Sequence, residues 1–286
     1  MKFLVTIISI STCLFSMAQQ DMFWNNYSNH NPAMSGFQYE QHGAVSYSDY
    51  FKTEPSGRTN RLIANYNVRL AEKHGLGLNY SGNYDINNYE TYLLNYNYQL
   101  NLANAGKLSF GIGAGINRRS QNRNYVSPNQ ITPIQVEKNI QLNIGVAHKW
   151  KGLTSGISMH NSTLLMDDLI GEYFAMYRPG FTVHSGYQFR LSDQVKLTPR
   201  AILQARNGYS GGFFSGDLTV TLFDKLSIGM MYSLDNREHI GVHIGYDVQD
   251  RFRLSYSYNS RTSGTSNNPS YLQQGQHQFT LGFLLK

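Results

Sequence analysis

His160, Ser162 and the adjacent acids Asp167 and Asp168 bring the three residue types of a nucleophilic triad into one short stretch. A serine becomes a nucleophile only when an imidazole takes its proton and an acid orients that imidazole, so a triad is defined by spatial roles and not by sequence proximity. The four lie beside TLLMDDLIGEYF in a connection that reads as a solvated loop, and no catalysis is assigned to them. The nine histidines suit a metal no better: His184 and His243 read as lying on alternating faces, with no partner at a ligand spacing. Asp167-Asp168 lacks the remaining oxygen ligands of a calcium loop. The expectation is a protein that is not an enzyme and holds neither cofactor nor metal.

Arginine is the more informative residue. Arg69, Arg190, Arg200, Arg206 and Arg253 all fall at polar positions of alternating segments, with Asp217 and Asp247 as the main acids among them. Rings of Arg or Lys select anions in a pore. The plainer reading, which is preferred, is a structural network of Arg, Asn and Gln.

The elements that carry these residues have a period of two. Leu62, Ala64, Tyr66, Val68 and Leu70 alternate with Arg61, Asn65, Asn67 and Arg69, and Leu108, Phe110, Ile112, Ala114 and Ile116 alternate with Ser109, Gly111, Gly113, Gly115 and Asn117. Alternation of this kind gives a strand one apolar and one polar face. Fourteen such segments follow one another from residue 44 to residue 285. Charged residues are only 15% of the chain, against about a quarter in ordinary soluble proteins, while Tyr (21), Phe (15) and Gly (26) are abundant.

The polar face is built of Asn, Gln, Ser, Thr and Gly, where the outer face of a soluble sandwich would carry more Lys and Glu. The connections are lopsided too. Those after even-numbered strands are short, as at 71–74, 148–152 and 223–225, while those after odd-numbered strands include 118–136, 160–179 and 260–274. Short periplasmic turns opposite long outer loops, with an even strand count, define an outer-membrane antiparallel β-barrel. Closure follows because an open strand edge in hydrocarbon leaves unpaired backbone groups. Tyr84, Tyr89, Tyr209, Phe213 and Tyr232 are expected to form a girdle at the loop end, and Trp150, Phe189, Phe223 and Phe252 one at the turn end.

Residues 1–18 read as a secretory signal peptide, with Lys2, an apolar run over 3–15, and small residues before a cut after Ala18. A lipoprotein signal at Cys13 is disfavoured by Thr12 and by the apolar residues that follow. Cleavage removes the only cysteine and leaves 23 basic against 18 acidic residues, so the mature chain has no disulfide. The scattered basic charge of an exported chain gives no reason to expect nucleic acid. The expected organisation is a leader at 1–18, a turn-rich periplasmic or lumenal segment at 19–42, and an all-β barrel of about fourteen strands at 43–286, with outer-membrane lipid around it and both termini periplasmic.

The segment NYSNHNPAMSGF is too polar and too turn-rich for a membrane strand. Asn31 is placed to cap a turn that Pro32 starts, and Gly36 to end it with a positive φ. Phe23, Trp24, Tyr27 and Phe37 are expected to tie this turn to the barrel. With QQDMFWNNYSNHNPAMSG behind a leader, Tyr-rich strands after it, and QHQFTLGFLLK at the close, the chain resembles the PorP/SprF family of Bacteroidota outer-membrane proteins. The resemblance implies an accessory of the type IX secretion system. Its implied partners are other secretion components or a large secreted adhesin or gliding-motility protein. Phe23, Trp24, Tyr27, Asn31, Pro32, Ala33 and Gly36 are then the candidate plug or partner-binding segment, and a passive porin with a basic lumen is the alternative.

Overall fold

The computed structural model describes residues 22–50, 59–84, 87–102, 104, 106–121, 136–165, 175–206, 212–234, 238–249, 251–261 and 275–285. The expected leader, Asp167, Asp168 and Tyr209 lie outside them. Fourteen strands follow a short turn-rich segment: β1 (Gln41–Tyr50), β2 (Thr59–Ala71), β3 (His74–Tyr84), β4 (Asn87–Leu102), β5 (Gly106–Gln121), β6 (Val136–Trp150) and β7 (Leu153–Leu165). Then come β8 (Ala175–Tyr187, continued past Gln188 by Phe189–Arg190), β9 (Val195–Arg206), β10 (Phe213–Leu222), β11 (Leu226–Leu234), β12 (Glu238–Val248), β13 (Phe252–Arg261) and β14 (Gly275–Leu285). Every strand pairs antiparallel with its sequence neighbour, and β14 pairs with β1 through Val45 and Leu281, which closes the ring.

The faces are inverted relative to a water-soluble protein. Ile112 is 63% exposed, and Leu142, Ile144, Leu254 and Leu281 are also exposed, while Asn95, Asn97, Ser109, Thr182 and Gln278 are fully buried. Side chains alternate across a strand, so this pattern puts the apolar set outside, where lipid is the solvent, and the amides inside. An Ile112→Arg substitution at the middle of the outer face is expected to cost roughly 2–4 kcal/mol in a lipid bilayer. Urea unfolding from vesicles measures it, and a change near zero would mean the face does not meet hydrocarbon.

The wall is uneven in height. A strand tilted by about 40° advances roughly 2.6 Å per residue, so a strand of about sixteen residues rises some 42 Å against an apolar band near 25 Å. β4 and β5 have 16 residues each, whereas β11 has 9 and at about 23 Å falls just short of the band. At the loop end short links, 85–86 and 235–237, alternate with long ones, while the connections after even-numbered strands are all short and gather at the opposite end, the turn side. There Lys151 (φ 43) and Gly152 (φ 94) make a two-residue turn with both central angles positive, the hairpin geometry whose twist matches that of its strands.

Three expectations need correction. His160 and Ser162 lie on β7 and not in a loop, because β6 and β7 stay paired up to Lys138 and Leu165. The polar run HNST hid that extension by breaking the apolar alternation. Phe213 does not belong to a lipid-facing girdle: it shares parity with Ser215 and Asp217 and is buried inside the ring. His184 and His243 both face inward and are buried, so their faces do not alternate. Trp150, Phe189, Phe223 and Phe252 are exposed at the turn end, and Tyr89 and Tyr232 at the loop end.

Candidate functional site

Residues 22–40 fold into the ring as three consecutive tight turns: 3-10 turns at Phe23–Asn25 and Pro32–Met34 and a single helical turn, α1, at Tyr27–His30. Asn31 organises the last of them. Its backbone is extended (φ −143°, ψ 112°), and its side-chain oxygen accepts from the Ala33 amide at 3.0 Å, with Pro32 in the first turn position. Gly36 then takes φ +63°, and a Cβ there would lie 2.7 Å from the Val68 carbonyl oxygen. Both the angle and the space require glycine.

A backbone this irregular has few partners of its own, and buried peptide groups must find some. The inward amides of the wall supply them. Asn97 Nδ2 and Ser109 Oγ donate to the Ala33 carbonyl at 2.9 and 2.7 Å, and Asn95 Nδ2 donates to the Ser28 carbonyl at 2.7 Å. Gln99 Nε2 and Arg69 Nε donate to the Gly36 carbonyl at 3.2 and 3.3 Å. In the other direction, Asn31 Nδ2 donates to the Val146 carbonyl at 3.0 Å and lies 3.3 Å from His184 Nε2. The Asn-rich face is therefore a set of donors aimed at one segment.

Glycines on the same face make room for it. A Cβ on Gly111 would strike the Pro32–Ala33 backbone, one on Gly145 would strike Asn31, and ones on Gly75 and Gly77 would strike Ser35. Gly111→Ala is accordingly expected to push the Pro32 turn off the wall, at a cost of about 1–3 kcal/mol. Gly245→Ala, whose Cβ would meet Ser255 at an ordinary 3.4 Å, is expected to be neutral. Thermal unfolding of the two variants in detergent checks the contrast.

The segment also carries an apolar core into the lumen. Phe23, Tyr27, Ala33, Met34 and Phe37 are buried with Ala147, Ile202 and Phe213, and Trp24 packs against them. The Tyr27 ring lies 4.8 Å from His184, and burial pushes its phenol up to about 12, so it remains neutral. Trp24 lies 4.9 Å from the His243 ring, and the Arg200 guanidinium sits 5.3 Å above the indole, a cation–π contact.

Arg200 belongs to a buried charge network. Its Nη1 donates to Asp217 Oδ2 at 2.6 Å, Thr219 Oγ1 donates to the same oxygen at 2.7 Å, and His243 Nε2 lies 2.8 Å from Asp217 Oδ1. Arg253 grips Asp247 with two bonds, at 2.6 and 2.7 Å. Of the five arginines expected in the lumen, Arg69, Arg200 and Arg253 thus point inward and are engaged. Arg190 is exposed at the turn-side rim, and Arg206 stands opposite Gly180 with its side chain outside the described part. Among the described residues no group of three metal-ligating side chains occurs.

A closed fourteen-stranded barrel, apolar outside and polar inside, with its own N-terminal segment folded into the lumen, defines an outer-membrane β-barrel. The chain matches the family described as type IX secretion system membrane protein PorP/SprF over residues 14–283. It belongs to that family and is an outer-membrane component of type IX secretion. A search of curated proteins returned no match. Among solved structures it is similar to the toluene transporter TbuX of Ralstonia pickettii, with 7% identity, a TM-score of 0.53, and coverage of 90% of this chain and 92% of that one. It is also similar to a FadL homologue of Pseudomonas aeruginosa, at 11% identity, a TM-score of 0.49, and coverage of 90% and 93%. At such identities the likeness to TbuX speaks for the fold alone.

Proposed function

We propose that this barrel is a plugged accessory of type IX secretion, one that serves the export or surface attachment of a large adhesin or motility protein without itself conducting solutes. On this reading residues 1–18 are removed as a leader, 19–42 form the plug, and 43–286 form the barrel, with the turn side and both termini in the periplasm. The partner is another secretion component or the large secreted protein itself, and the chain performs no catalysis.

The observation that carries the reading is the occupancy of the lumen by residues 22–37, held by wall amides and by an apolar cluster. Two cavities beside the segment, each lined in part by Trp24, Asn25, Tyr39 and His42, hold about 20 Å³ each, room for a single water. A passive porin with a basic lumen needs an open path, which this segment occupies, and two of the lumen's arginines, Arg200 and Arg253, are neutralised by Asp217 and Asp247. Comparison of the surface proteome with and without this chain tests the role. Loss of one large surface protein, restored by complementation, is expected, and an unchanged surface would sink the proposal.

A further inference from the structure

The lumen charges are not treated alike around the ring. On the wall from β9 to β13, Lys196 pairs with Asp224, Arg200 with Asp217 and Arg253 with Asp247. On the wall from β2 to β7, Lys107 and Lys149 stand directly opposite each other on β5 and β6. Like charges facing across a strand pair are destabilising unless something compensates. Among the described residues neither lysine makes an ion pair, and Lys149 is partly buried, with the positive charges of Lys107 and Arg69 beside it.

Their placement is fixed. Trp150 Nε1 donates to the Asn104 carbonyl at 3.0 Å, which holds the β4–β5 turn against the end of β6. Lys151 lies outside this cluster, its ammonium 5.0 Å over the outward-facing Trp150 ring. Parity excludes lipid headgroups as the ligand: Lys107 and Lys149 share the inward face with the buried Ser109 and Ala147. A permeating ion is excluded as well, because Ser109, two residues along from Lys107, already holds the Ala33 carbonyl of the lumenal segment. The cluster therefore opens only to the turn side.

We propose that Arg69, Lys107 and Lys149 form a docking site for an acidic peptide segment of a periplasmic protein. Two cations facing each other across a strand pair, with a third beside them, call by charge complementarity for a ligand that carries several carboxylates. The periplasmic location rests on the secretion-accessory reading, and the charge chemistry does not.

Binding of a poly-glutamate peptide to the full-length barrel in nanodiscs, with poly-glutamine as the neutral probe, tests the site. The glutamate peptide is expected to bind, to weaken with added salt, and to lose affinity roughly tenfold in a Lys107→Gln/Lys149→Gln variant. An Arg118→Gln/Lys138→Gln variant, altered on the outer face near the loop end, is expected to bind like the wild type. Heat-modified migration in gels confirms that each variant is folded. No binding by the wild type, equal binding by both variants, equal binding of poly-glutamine, or full competition by inorganic phosphate at matched charge would each overturn the site. If peptide binding holds while the surface proteome is unaffected by gene loss, the secretion reading fails and the site stands. If the reverse is found, the docking site alone fails.

Discussion

A barrel lacking residues 20–38 will conduct ions in a planar bilayer in steady steps, where the full-length chain gives none. The deletion removes the buried side chains of Phe23, Tyr27, Met34 and Phe37 from the lumen, together with the carbonyls that Asn95, Asn97 and Gln99 satisfy. The amides left behind are polar and face one another across space that water can fill, so the lumen hydrates instead of collapsing. Arg69, Lys107 and Lys149 would then line an open path, and the current is expected to favour anions. Stability falls as well, because each lost apolar side chain had contributed about 1.5–3 kcal/mol of burial. A silent deletion variant that still migrates as a folded barrel would mean the wall closes the lumen without the segment.

Asp217→Ala is expected to be the most damaging single change, at roughly 3–5 kcal/mol, because it leaves two cationic or hydrogen-bonding partners buried without their acceptor. Asp217 is fully buried between Arg200 and His243, and Arg200 in turn lies over Trp24. Loosening of Arg200 should therefore be felt in the lumenal segment. The chain has two tryptophans, so in a Trp150→Phe background the emission of Trp24 reports on the segment alone. Unfolding in urea is expected to shift to lower concentration with a red-shifted native emission, and Asp217→Asn is expected to do less, since the amide oxygen still accepts. An Asp217→Ala barrel as stable as the wild type would show that the network contributes no net stability.

The strands were legible because their outward residues had to be apolar every second position, as from Leu108 to Ile116, whatever the lumen contained. The long connections were legible only approximately, since His160 and Ser162 belong to a strand whose sequence loses its apolar alternation at HNST. Asn31 could be read as a cap from its neighbour Pro32. What its amide touches could not, because Val146 and His184 lie far along the chain and meet it only once the ring is closed. Gly111 reads in the sequence only as one residue of a polar face, and the need for small size there and at Gly145 appears only when the Pro32 turn is laid against them. Phe213 misled for a similar reason, since an aromatic at a strand end suits a lipid girdle and an inner core equally well, and parity decides.

Gentle affinity purification of the tagged chain from its own outer membrane, with mass spectrometry of what accompanies it, tests the central claim most directly. Recovery of secretion components or of a large secreted surface protein, lost when residues 31–36 are scrambled, is the predicted result. Recovery of the barrel alone, with the wild-type chain conducting on reconstitution, would contradict the account and make the protein a porin.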